Sequence, residues 1–379
     1  MSDPATAGAP LAGLRVVELA RILAGPWTGQ ILADLGAEVI KVEAPEGDDT
    51  RSWGPPFIDR EGDGPQNRSA AYFHAANRGK TSITADFRTP EGQARVRDLV
   101  RGADVVIENF KVGGLVKYAL DYPALSAVNP GLIYCSITGF GQTGPYAERA
   151  GYDYIIQGMA GLMSVTGDPA GAPQKVGVAV VDVMTGVYAS TAILAALHQR
   201  GRTGRGQMID MALMDVGVAM MANQAMNYLA SGRAPGLLGN AHPNLAPYAV
   251  FGCSDGWIIL AVGNDGQFRK LCALLDLAPL ADDPAYATNP ARVTNRPALQ
   301  RLIEARTRAI GRDALLAACE AAGVPAGPIN TMAEVFADPQ VIARGLRIEP
   351  EGVPGVRTPI TFSKGELVLG RASPLLPRG

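Results

Sequence analysis

Short β-branched runs alternate along this chain with longer stretches of helical spacing. Leu14-Arg-Val-Val-Glu-Leu19 and Glu38-Val-Ile-Lys-Val-Glu43 predict strands, and Ala24-Gly-Pro-Trp27 between them predicts a turn opening a helix to about Leu35. Thr81–Ala85, Ala103–Glu108 and Leu132–Ile137 read as further strands. Pro90–Gly102 reads as a helix with proline in its first turn, where a missing N–H costs nothing. Val176–Val181 holds four valines with one glycine and one alanine, which favours an extended segment, and an apolar helix pattern follows from Met184 to Leu197. Strands alternating with helices predict a doubly wound, Rossmann-like α/β sheet. Ligands sit at the carboxyl ends of strands in such sheets. Arg21–Gly25, Glu43–Pro45, Asn109-Phe110 and Thr138–Gly144 fall at those ends.

The second half changes character. After Gly201–Gln207, a turn, comes Met208–Leu213, and Asp215–Ala230 has helical spacing rich in Ala and Met. Ser231–Pro247 lacks periodicity and reads as a linker or active-site loop. Tyr248–Cys253 and Ile258–Val262 flank Ser254-Asp-Gly-Trp257, a hairpin signal, and helices follow at Gly266–Leu275, Arg296–Ala309 and Arg312–Ala322. Thr331–Gly345 reads as helical, and Gly355–Leu369 as strands rejoining the first unit. The expected organisation is a large α/β domain over residues 1–207, a helix and linker over 208–245, a small α+β domain over 246–328, and a return into the large domain over 329–379.

Composition narrows the function. Of 379 residues, 47% are hydrophobic and 18% charged, and 34 basic against 36 acidic residues leave a net charge of −2, so no polyanion-binding surface is implied. Cys135, Cys253, Cys272 and Cys319 are scattered, as are His74, His198 and His242, so no metal site is expected. No basic-then-apolar leader is evident, and the longest uncharged apolar run, Thr185–Leu197, is too short to span a bilayer. A soluble, cytoplasmic chain is the expectation.

Two stretches carry candidate chemistry. Asp182 stands between the valine run and the apolar helix, either as that helix's N-cap or as a carboxylate held at a strand end for reaction. Gly139-Phe-Gly-Gln-Thr-Gly144 matches G-x-G-x-x-G after a strand. Pro145 follows, however, and no βαβ unit with a ribose-binding acid comes after it, so it reads as a loop or lid rather than a dinucleotide fingerprint.

Taken together, Leu11–Leu19 with Ala24-Gly-Pro26, Leu35–Glu43, Asn77–Ser82, Asp104–Phe110, Gly139–Pro145, Thr203–Gln207, Gly323–Pro328 and Asp338-Pro-Gln340 resemble the family III (CaiB/BaiF) CoA-transferases over nearly the whole chain. The resemblance implies an interlocked, ring-like homodimer that takes acyl-CoA and small carboxylic acids as substrates, with no tightly bound cofactor. It maps the family's nucleophile onto Asp182. Its chemistry exchanges one activated acyl group for another, through an aspartyl anhydride and an aspartyl-CoA thioester, and needs neither metal nor general base. Backbone N–H groups at Gly139, Gly141 and the loop Gly239–His242 are the expected oxyanion donors. Helix N–H groups beside Asp182 are expected to keep its pKa low.

For CoA the resemblance suggests Ile22, Leu23, Ala24, Asn109, Phe110 and Lys117. Phe110 would pack on adenine, Asn109 would bond its edge and Lys117 would meet a phosphate, with Arg78 and Lys80 as further cations. Lys117 also reads as an ordinary surface lysine. The acyl side points to Arg21, Arg51, Trp53, Tyr152 and His242, of which Arg21 reads equally as a helix cap, Trp53 as core and His242 as a loop residue. Racemases of the family carry histidine where Tyr152 stands, and tyrosine is a poor base at neutral pH, so transfer is favoured over the alternatives of racemisation or an inactive CoA-binding relative. Gly239-Asn-Ala-His-Pro-Asn244 replaces the four glycines of formyl-CoA transferases and resembles the succinyl-CoA and dicarboxylate subgroup. Ala44 stands where some relatives carry an arginine, and the chain ends at Pro377-Arg-Gly379, where relatives usually continue.

Overall fold

The computed structural model describes residues 8–377, so Met1–Ala7 and Arg378-Gly379 lie outside the described residues. The chain forms two compact units. The larger takes residues up to Gly161, Val176–Met221 and everything from Pro339.

Its sheet is parallel throughout, built from β1 (Arg15–Glu18), β2 (Glu38–Glu43), β3 (Thr81–Thr84), β4 (Val105–Glu108), β5 (Ile133–Thr138) and β6 (Gln207–Ala212). The spatial order is β3-β2-β1-β4-β5-β6. Winding reverses between β1 and β4, and a crevice opens at such a switch point. Alternate residues serve opposite faces. Val16, Val105, Ile107, Ile133 and Ile137 are buried with helices α1 (Ala24–Asp34), α4 (Asp153–Met159) and α5 (Val180–Thr203), whereas Val17, Val42, Val106 and Tyr134 are buried with α3 (Pro90–Arg101). Both faces are covered, as a parallel sheet requires. The short α2 (Ala71–Ala76) and α6 (Leu213–Met220) complete the parts used below.

Helix α5 is longer than the sequence suggests. Its 24 residues are long and apolar enough to cross a bilayer, where the uncharged run alone was too short. Val181, Ala189, Ile193 and Ala196 bury part of that apolarity in the sheet's core. Gly186 lets α5 meet α1: a Cβ there would lie 2.9 Å from Trp27 and 3.0 Å from the Ala24 carbonyl oxygen.

Three expectations need correction. Residues 176–179 form no strand, and α5 starts at Val180, inside the expected extended run. β-propensity yields there because the N–H groups of Val181 and Asp182 bond to a side chain rather than a neighbouring strand. The expected helix over 215–230 breaks into α6 and α7 (Ala222–Ser231), with Ala222 at φ +38°, and the chain passes there into the smaller unit. Gly355–Leu369 holds only the two-residue strand Gly355-Val356, paired with Arg347-Ile348. The following residues run along the larger unit without a ladder, the Val368 N–H donating to the Asp34 carbonyl.

The last stretch, 372–376, is strapped down. The Gly79 N–H donates to the Ala372 carbonyl (3.2 Å), Arg60 to that of Ser373 (2.6 Å) and Arg51 to that of Pro374 (3.2 Å). The Leu376 N–H donates to Asp63 (3.0 Å), and buried His74 bonds Ser69 and Ser373.

The smaller unit comprises Leu162–Lys175 and Ala222–Asp338, wider than the expected 246–328 because residues 162–175, expected in the large domain, α7, the loop 232–245 and residues 329–338 join it. Its antiparallel sheet, β7 (Tyr248–Gly252), β8 (Trp257–Ala261) and β9 (Ala326–Pro328), packs Phe251, Ile258 and Leu260 against Phe268, Leu271, Leu299, Ile303 and Leu315 of α8 (Asp265–Leu274), α9 (Arg296–Thr307) and α10 (Arg312–Ala322).

Candidate active site

The crevice between β1 and β4 is built from residues just past the strand ends. Asn109 clamps the β1 loop: its side-chain oxygen accepts from the Arg21 N–H (2.9 Å) and its amide donates to the Arg21 carbonyl (2.7 Å). One of its two amide N–H groups is therefore taken by the protein backbone. Ile22 has φ +72°, a conformation β-branched residues rarely adopt, and its N–H meets Asp48 at 3.4 Å. Such strain persists only where the surroundings fix it and concentrates at functional sites. Leu23 and Ala24 are buried at the start of α1. Phe110 lies half-buried with the Arg21 guanidinium 5.8 Å from its ring, and Arg21 pairs with Asp49 at 2.9 Å. Arg21 caps no helix. Lys117 is exposed beside Tyr118.

The other predicted cations are structural. Arg78 is buried on Asp34 and donates to the Val356 carbonyl. Lys80 is fully buried at 2.8 Å from Glu18, which Lys41 also meets at 3.2 Å. Burial lowers Lys80 to about 8 despite Glu18. Arg51 holds Glu43 through two bonds of 2.7 and 2.8 Å, Asp63 through a third of 2.9 Å, and lies over the Phe73 ring. Burial works against the ionised Glu43, yet Arg51 keeps its carboxyl below the usual range. None of these three cations is free for a phosphate or a substrate carboxylate.

Asp182 lies in the first turn of α5, past the N-cap position, which Ala179 fills without a side-chain bond. The cap comes from another helix. Asp153, at the start of α4, accepts from the Val181 N–H (2.8 Å) and the Asp182 N–H (3.2 Å) with one oxygen, and from Gln157 with the other (2.7 Å). The helix N–H groups expected to depress Asp182 thus serve Asp153. Burial first, and the Asp153 charge second, raise Asp182 to about 7. The expectation of a low pKa is overturned.

Tyr72 on α2 completes the group. Burial, and then the charges of Asp182, Asp153 and Asp48, raise its phenol, so it lies within electrostatic reach of these carboxyls. Its ring meets Trp53 edge-on at 5.4 Å, and Trp53, 47% exposed, does not fill core. Tyr152 precedes Asp153 and is 64% exposed. Sequence reading missed Asp153 and Tyr72 as site residues. Asp153 carried a signal in the Gly151-Tyr152-Asp153 motif, whereas Tyr72, in a six-residue helix, carried none.

The glycine loop holds itself. The Gly141 N–H donates to the Thr138 hydroxyl (2.9 Å), so it is no free oxyanion donor. Gly139 packs on Gly151, where a Cβ would come within 2.5 Å of the facing Cα. Its glycine lets the loop before Asp153 approach. His242 belongs to the smaller unit, where its ring lies 5.0 Å from Tyr248, its Nδ1 accepts from the Asn244 N–H, and its carbonyl accepts from Arg296. Burial, then Arg296, lowers its pKa.

Residues 11–378 match the model of "CoA-transferase family III". The succinate–glutarate CoA-transferase of Agrobacterium fabrum is 61% identical over 99% of this chain and 95% of its own length. The succinyl-CoA:glutarate CoA-transferase of Mus musculus is 42% identical over 97% of this chain and 84% of its own. The crystal structure of a CAIB/BAIF family protein from Brucella suis superposes with a TM-score of 0.88 at 63% identity, covering 100% of this chain and 97% of that one. With this family match spanning both units and the Asp182 site, the chain belongs to the family III CoA-transferases.

Proposed function

We propose that this enzyme moves CoA from succinyl-CoA or a similar acyl-CoA to a carboxylic acid acceptor through Asp182. The observation that carries this reading is a carboxyl group in the first turn of α5 that burial and Asp153 hold near pKa 7. A more basic carboxylate is a stronger nucleophile and is still substantially ionised at neutral pH. The Asp182 carboxylate attacks the thioester carbonyl, the C–S bond breaks, and CoA thiolate leaves an acyl-aspartyl anhydride. Thiolate then attacks the aspartyl carbonyl, the anhydride C–O bond breaks, and the donor acid departs as a carboxylate. An acceptor carboxylate attacks the aspartyl-CoA thioester, and returning thiolate attacks the acceptor's carbonyl and frees Asp182. No step consumes a net proton.

Arg21 and Phe110 at the switch-point crevice, with Lys117 nearby in sequence, are the groups offered to CoA. Trp53 and Tyr72 line the acyl side. The named substrates of the two relatives favour dicarboxylic acids here as well. A homodimer fits the exposed apolar side chains of α4 (Tyr154, Ile155, Met159) and α5 (Val187, Tyr188, Leu194), which a second copy would cover. Light scattering on the purified protein measures that assembly.

Incubation with succinyl-CoA followed by hydroxylamine, with peptide mass mapping, tests the mechanism. A hydroxamate on Asp182 is expected. Deuterium uptake at the α-carbon with no label on Asp182 would overturn it.

A further inference from the structure

Glu108 is a buried carboxyl that the mechanism does not use. Glu108 ends β4, Ser136 stands opposite it on β5, and Asp210 stands opposite Ser136 on β6. In-register partners of a parallel sheet share a face, so the three form one polar row immediately beyond the apolar row Val106, Tyr134 and Met208. Gln142 of the glycine loop sits across that row. Its side-chain amide donates to the Ser136 hydroxyl (2.9 Å) and its N–H to Asp210 (2.9 Å). Glu108 accepts from the Phe110 N–H at 2.8 Å, and Ser136 also bonds Glu108. Burial outweighs those bonds and raises Glu108 to about 7. A cavity of about 160 Å³ borders Glu108, Ser136 and Gln142, with Lys111, Asp121 and Tyr134 on its other walls. The loop residue is therefore held by polar contacts rather than by packing on every side.

What the loop supports lies at its other end, where Gly139 packs on Gly151, two residues before Asp153. Asp153 in turn holds the first turn of α5. We propose that the row Glu108–Ser136–Asp210 is a positioning bed. Gln142, seated on it, fixes the glycine loop and through the Gly139–Gly151 contact the placement of Asp153 and Asp182. None of the four residues touches the reacting atoms; they act through that pair. The proposal rests on the transfer reading above for its kinetic consequence, though not for its structural one.

Gln142→Ala removes the side-chain bond to Ser136, and Ser136→Ala removes that bond and the one to Glu108; each is expected to lower kcat roughly five- to tenfold with KM for acyl-CoA nearly unchanged. Because the bond lost in Gln142→Ala is already lost in Ser136→Ala, the double variant is expected to fall no further than Ser136→Ala. Glu108→Gln, which keeps an acceptor for the Phe110 N–H, is expected to recover most of what Glu108→Ala loses. Hydrogen exchange supplies an arm independent of turnover: in Gln142→Ala, amides of 139–144 and of 151–160 are expected to exchange faster together. Wild-type protein without CoA transfer would fail the functional reading, and the exchange arm would still judge the bed. Additive losses, an effect on KM alone, or unchanged exchange over 151–160 would overturn the proposal.

Discussion

Two groups of acidic side chains near the sheet's carboxyl edge contrast in how their charge is met. Glu18, Glu43, Asp48 and Asp63 are buried, and each has a cation within 2.7–2.9 Å: Lys80, Arg51, Lys41 and Arg51 again. Asp182 is shifted by burial and by another acid, Asp153, alone. Burial of a charge is tolerated when a partner compensates it, and otherwise the group responds by changing its pKa. The first group spends its electrostatics on structure. The second keeps a carboxylate reactive.

Exchanging the two kinds of loss tests that contrast. Asp182→Ala is expected to lower CoA transfer by at least about a thousandfold. Its thermal stability is expected to hold or rise, since no cation contributes to the shift of the half-buried carboxyl; acyl-exchange rates and calorimetry measure both. Arg51→Ala is expected to cost about 3–5 kcal/mol in denaturant unfolding, because Glu43 and Asp63 would remain buried without their cation. A variant that unfolded normally would dissolve the contrast. Raising pH through about 7 is expected to raise kcat/KM as Asp182 ionises, since the deprotonated form is the nucleophile. In Asp153→Asn that limb is expected to move to lower pH, the burial part remaining, and an unmoved limb would remove Asp153 from the account. The smallest effect is expected from Trp53→Ala, about 0.5–1.5 kcal/mol in acyl-CoA affinity from the lost ring edge on Tyr72, read by titration calorimetry.

The sheet was legible because its strands are short Val/Ile runs with helices between them. β2 matches its expected bounds, and β1, β4 and β5 match to within one or two residues. Asp182 was legible as a residue and misjudged in its setting. The valines before it suggested a strand, but the first turn of a helix capped from another helix depends on a partner 29 residues away. Partners 8, 44 and 62 residues away hid the fates of Arg51, Arg78 and Lys80. A basic residue at a strand end looks alike whether a substrate or a buried carboxylate awaits it, and only the fold brings Asp34, Glu18 and Glu43 into place. Asn109 was placed correctly at the switch point, yet the backbone it clamps could not be seen without the β1 loop.

The strap over 372–376 carries a consequence for how the chain comes to be. Arg51 waits for a carbonyl 323 residues further on, and His74 for a hydroxyl 299 further on. On a ribosome, those groups emerge long before their partners exist. Contacts of such separation form late and slowly, and segments awaiting them stay open to wrong company. The region of Arg51, Arg60, Asp63 and His74 is thus finished only once residues 372–376 have been made, and a chain stalled or clipped before them would display that region, charges and all, to its surroundings.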